Sequence, residues 1–108
     1  MDKADKIKAI ADHYGYSKQS MQTIEECAEL IQAINKLHRK ADICKSVDGK
    51  DYEEVEQAIK NLTEEAADTQ IMLWQMIYLF GLDIQDVIDQ KLDRQLKRIE
   101  VEKNGKSD

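Results

Sequence analysis

With sixteen basic against twenty-two acidic residues in 108, the chain carries a formal net charge of -6, which repels polymeric nucleic acid and anionic membrane. Its length is that of one domain, 1–108, too small for a lone core to shield much of its surface, so oligomers are expected. Cys27 and Cys44 form neither a CxxC pair nor a disulfide framework, the first residues lack an apolar signal core, and the longest apolar stretch, 71–80, is far short of the roughly 20 residues that span a bilayer; the expectation is a reduced, cytoplasmic protein.

The absence of proline, with only four glycines and abundant Ala, Glu, Gln, Lys and Leu, predicts an all-α fold. Ile7, Ile10, Ala11 and Tyr14 recur at helical spacing in a first short helix that Gly15 ends, and Ser17 can cap the next. That second helix covers about residues 18–39, with Met21, Ile24, Cys27, Ala28, Ile31 and Ile34 as its apolar stripe. Residues 41–50 lose the periodicity and include the turn pair Asp48-Gly49, which predicts a loop. Asp51 and Glu54 have capping-box spacing and open a third helix reaching Phe80, with room for a bend around Asn61 and Thr63. Gly81 stops it. Asp83 is expected to cap a fourth helix with a seam of Ile84, Val87, Ile88, Leu92, Leu96 and Ile99, and residues 103–108 to fray. The architecture predicted is a bundle of four to five helices.

Two acidic clusters interrupt this pattern. Residues 24–30, IEECAEL, and 63–73, TEEAADTQIML, each place carboxylates three apart, so Glu26 and Glu29 share one helix face and Glu65 and Asp68 share another. Within its own helix Glu29 finds no basic partner three or four positions away, and neither do Glu25, Glu26, Glu65 and Asp68. Apolar residues surround the segment carrying Asp68 in nearly every direction, which predicts a helix packed on all sides and a shielded Asp68. Carboxylates crowded out of water repel one another and lose hydration. Protonation, a basic residue from another helix, or a divalent cation would relieve them, and an all-oxygen donor set suits magnesium or manganese better than zinc. His38 lacks the ExxH spacing of di-iron bundles. No histidine is placed to activate Cys27, which reads as packing.

EECAEL followed by EEAAD resembles the ExxE and ExxD signature of the MazG-like all-α nucleoside triphosphate pyrophosphohydrolases, a superfamily that includes dimeric dUTPases and dCTP pyrophosphatases. The upstream YGYSKQSMQTIEECAELIQAINK is similar to the family's first helical segments, and the likeness covers about residues 14–98. It implies magnesium-dependent cleavage of a nucleoside or deoxynucleoside triphosphate between the α and β phosphates, in a homodimer or homotetramer. By position, Glu26, Glu29, Glu65 and Asp68 correspond to the metal ligands. Glu25 and Glu64 would hold a second ion or orient the attacking water, or else are solvated glutamates. DQKLDRQLKR resembles the family's basic segment, making Lys91 the first candidate for phosphate contact, with Arg94 and Arg98 behind it; a solvated lysine is the plain alternative. Gln19 and Gln22 fall among the substrate-binding positions, and His13, Tyr14 and Tyr16 near the base pocket.

Three features depart from the family's pattern: a longer separation between the two motifs, Gln22 where many relatives have lysine, and Asp89 where several have asparagine. Trp74 and Tyr78, beyond Asp68, could stack on a base but have the spacing of core aromatics. A competing reading from another class is a non-catalytic oligomeric helical bundle that binds a partner protein through its acidic face.

Overall fold

The computed structural model describes residues 1–43 and 49–106, and within them every regular element is a helix. There are three: α1 (Lys3–Ile43), α2 (Gly49–Phe80) and α3 (Gln85–Lys106). The all-α expectation holds; the count of four to five does not. Among the described residues, no helix is long and apolar enough to cross a membrane.

Helix α1 opens on a cap that the sequence reading passed over: the Asp5 N–H donates to Asp2 Oδ1 at 2.8 Å, and the Lys6 N–H to the Asp2 carbonyl at 3.1 Å. A side-chain oxygen at this position satisfies an amide that has no partner inside the helix. As expected, Gly15 ends the first helical segment: it is the one non-helical residue within α1, at φ 83° and ψ 166°. Only glycine tolerates that region readily, so the chain turns there and continues as helix. Segment 3–14 then runs back along the last turns of α2. Tyr16 stacks edge-on against Phe80, Asp12 accepts a hydrogen bond from the Tyr78 hydroxyl at 2.8 Å, and Lys3 lies 5.6 Å from the Trp74 ring centre.

Of the predicted loop at 41–50, residues 41–43 belong to α1 and 49–50 to α2; the Asp48 half of the turn pair lies outside the described residues. Helix α2 has no break at Asn61 or Thr63. It ends as predicted at Gly81, whose φ of +61° lets the Leu82 N–H reach the Ile77 carbonyl at 3.0 Å and close a Schellman turn. At the start of α3 the first carbonyl to accept is that of Ile84, from the Ile88 N–H at 2.8 Å, so Ile84 occupies the cap position expected of Asp83. The helix holds through Lys106, including most of the tail expected to fray.

Helices α1 and α2 form an antiparallel hairpin, tied at its far end by Lys40 and Glu54 at 3.1 Å. Its interior is unusually polar. Ala33, Ala58 and Met72 are buried there beside Gln19, Thr69 and Gln75, while Ile7 and Ala11 complete the core from segment 3–14. The apolar stripe expected to drive packing points outward: Met21, Ile24, Ile31 and Ile34 are exposed, as is Ala28, with Cys27 half-buried. Helix α2 is likewise uncovered along Ile71, Leu73, Trp74 and Tyr78, contrary to the expectation of packing on all sides. Among the described residues, no Cα of α3 comes within 8 Å of α1 or α2. Its apolar seam is open.

Candidate functional site

The register of the hairpin brings the two acidic motifs together. Gln19 Nε2 donates to Gln75 Oε1 at 2.7 Å inside the interface, and Thr69 Oγ1 donates to the Glu26 carbonyl at 3.3 Å. Gln75, in the sequence only an interruption of an apolar run, is the most deeply buried large side chain, 1 % exposed. A buried amide must be paired, so a slip of α1 along α2 would strand it. Glu26 lies two turns along α1 from Gln19, and Glu65 lies almost three turns back along α2 from Gln75. The lock fixes where they meet.

Carboxylate oxygens of Glu26, Glu29 and Glu65 lie within 4.8 Å of one another, and all three residues are half-buried. Glu26 Oε1 accepts from Gln22 Nε2 at 3.0 Å, whereas its Oε2 and the Oε2 of Glu65 are buried with no hydrogen-bond partner. Burial raises the Glu26 carboxyl above the usual glutamate range against the lowering pull of Gln22, with Glu29 and Asp68 adding repulsion. Glu29 is raised chiefly by the charge of Glu65, then by burial. Burial and the charges of the neighbouring acids disfavour the ionised form at both residues, and among the described residues no lysine or arginine is ion-paired with the cluster.

Of the other predicted positions, Asp68 lies near enough for its charge to act on Glu26, but it does not join the group of three and is exposed, not shielded. Of the apolar neighbours expected to enclose it, Ala66, Ala67, Ile71 and Leu73 are exposed with it, whereas Met72 is buried in the hairpin. Glu25 and Glu64 are exposed at the margin. Gln22 is engaged with Glu26, and Gln19 is buried with Gln75. Lys91, Arg94 and Arg98 are on α3, away from the hairpin of their own chain. His13 and Tyr14 stack on each other at an exposed position, and Tyr16 lies against Phe80. Tyr78 and Trp74 hold segment 3–14 to α2 at positions that remain partly open. Cys44 lies outside the described residues.

The ExxE and ExxD spacings signalled the three acids that meet, together with Asp68, which does not join them. Nothing in the helical spacing of α1 marked Gln19 as an interior residue; only its partner Gln75, a polar residue inside an apolar run, carried a readable sign. Comparison with protein families, curated proteins and solved structures finds no match for this chain.

Proposed function

We propose that the chain is a magnesium-dependent pyrophosphohydrolase of nucleoside or deoxynucleoside triphosphates, of the MazG-like kind that its two motifs resemble, acting as a homo-oligomer. The supporting observation is the convergence of Glu26, Glu29 and Glu65 from two helices on one point, with two buried oxygens left unpaired. The donor set fits a hard divalent cation: it is all oxygen, negatively charged and short of partners. Magnesium is the first choice and manganese the second.

Glu26, Glu29 and Glu65 would hold the ion, with Asp68 closing the set from the exposed side. When bound, it would neutralise the acids and the triphosphate and stabilise charge on the α-phosphate oxygens. Gln22 holds one oxygen of Glu26 in place, and the Gln19–Gln75 lock holds the two motifs opposite each other. Glu25 and Glu64, both exposed, would orient a water for in-line attack at the α phosphorus, with pyrophosphate leaving. Lys91 and Arg94 would contact phosphate, and because α3 stands off its own hairpin they would do so on a second copy.

Purified protein incubated with each common ribo- and deoxynucleoside triphosphate and magnesium is expected to release pyrophosphate and the monophosphate. Glu65→Gln and Asp68→Asn should lose turnover while retaining the helical circular-dichroism spectrum. Turnover at the parent rate in both variants would overturn the assignment. The reading of a partner-binding bundle gains from the exposed apolar stripes and not from the acidic face; it predicts no pyrophosphate release from any nucleotide and no rise in melting midpoint with magnesium.

A further inference from the structure

Between the first turns of α1 and the last turns of α2 lies a groove of about 490 Å³, a volume within the range of small-molecule sites. Its apolar lining is Ala4, Ile7 and Ile77 together with the rings of Trp74 and Tyr78, each 38 % exposed. The groove is separate from the acidic cluster. Nine residues at 100° each put Trp74 about half a turn round α2 from Glu65, so the two face opposite ways. Among the described residues α3 approaches neither wall.

Its charge runs against that of the chain as a whole, which is net negative. Lys3 and Lys8 stand about 140° apart on segment 3–14, with Ala4 and Ile7 between them, so an ammonium borders each edge of the apolar lining. Lys3 Nζ lies 5.6 Å from the Trp74 ring centre and Lys8 Nζ 5.9 Å from that of Tyr78. Neither lysine is ion-paired among the described residues. The acids of the same segment are engaged elsewhere or turned away. Asp12 accepts the Tyr78 hydroxyl on both oxygens, at 2.8 and 2.9 Å. Asp2 accepts the Asp5 N–H at the helix start, and Asp5, two residues from Ile7, falls on the far side of the segment. An open apolar trough edged by two uncompensated cations suits a ligand with an apolar body and a single negative head. We propose that the groove binds a free amphipathic carboxylate, its hydrocarbon part along Ile7, Trp74 and Ile77 and its head drawn to the ammoniums of Lys3 and Lys8. The site stands whether or not the protein hydrolyses a nucleotide.

Trp74 is the single tryptophan of the chain, so its fluorescence reports the groove directly. Titrating the full chain with octanoate at neutral pH and low salt is expected to move the Trp74 emission to shorter wavelength along a saturable curve. Decanoate should bind about tenfold more tightly, through two further buried methylenes. Lys3→Gln combined with Lys8→Gln changes two exposed side chains and should keep the helical circular-dichroism spectrum. It should weaken octanoate about fivefold. Octyltrimethylammonium, with the same chain and the opposite charge, should bind the parent more weakly than octanoate, and the gap should narrow in the double variant. Equal or tighter binding of the cation by the parent would overturn the proposal, because the rings and not the lysines would then select the ligand. So would the absence of any saturable shift with either carboxylate, or an octanoate affinity unchanged in the double variant. A shift produced by anionic phospholipid vesicles and not by octanoate would also overturn it, making this face a membrane contact. No nucleotide or magnesium is present in the titration, so its result is separable from that of pyrophosphate release.

Discussion

Glu29 shows how a sequence can carry a charge it does not stabilise. Glu65 and burial hold its carboxyl above the ordinary value, and Glu26 is raised beside it. The folded chain therefore keeps protons that the unfolded chain has already released. Stability contributed by these groups falls as pH rises from the ordinary carboxylate value through the raised one, and returns on acidification through the same window. In buffer containing a chelator, Glu29→Gln should melt above the parent at neutral pH, and the difference should close as Glu29 becomes protonated. A variant that melts lower at neutral pH would show that the charge is welcome there. Adding magnesium should raise the midpoint of the parent more than that of Glu29→Gln, since a ligand of the folded state stabilises in proportion to its binding.

Two devices organise the elements: glycine geometry and a buried amide pair. Gly15 at φ 83° and ψ 166° and Gly81 at φ 61° have open space where a Cβ would project, so replacing either by alanine meets a backbone penalty alone. Gly15→Ala should cost about 1–3 kcal/mol and Gly81→Ala about 1–2 kcal/mol, measurable by urea titration. The hairpin register offers a sharper measurement. Gln75→Leu strands the buried Gln19 amide and should destabilise by about 1–3 kcal/mol, whereas Gln19→Leu combined with Gln75→Leu should recover much of the loss. If the two single losses simply add in the double variant, the hydrogen bond does not couple the helices.

At the scale of the molecule, the hairpin buries Gln19, Thr69 and Gln75 beside Ala33, Ala58 and Met72, while Met21, Ile24, Ile31, Ile71 and Leu73 stay exposed. On the proposed homo-oligomer, the midpoint of thermal unfolding should rise with protein concentration, because association would then stabilise the folded state. A midpoint unchanged over a hundredfold range would place the whole stability inside one chain. The stripe expected on α1 is present, and most of it faces away from α2. Periodicity reports that a face will be covered; it does not report by what. The inference that Asp68 is shielded failed for that reason, since the residues around it do form apolar directions but α3 does not fill them.

The residues alone determined the helical class, the stop at Gly81 and the pairing of two acidic motifs, because propensity, a left-handed glycine and a three-residue spacing are local properties. Tertiary structure decided that Gln19 and Gln75 set the register, and that Glu26, Glu29 and Glu65 converge while Asp68 stays at the edge. It also decided that α3 leaves its own hairpin uncovered. The register and the convergence of the acids depend on contacts between residues 36 to 56 positions apart, whose geometry no local pattern encodes.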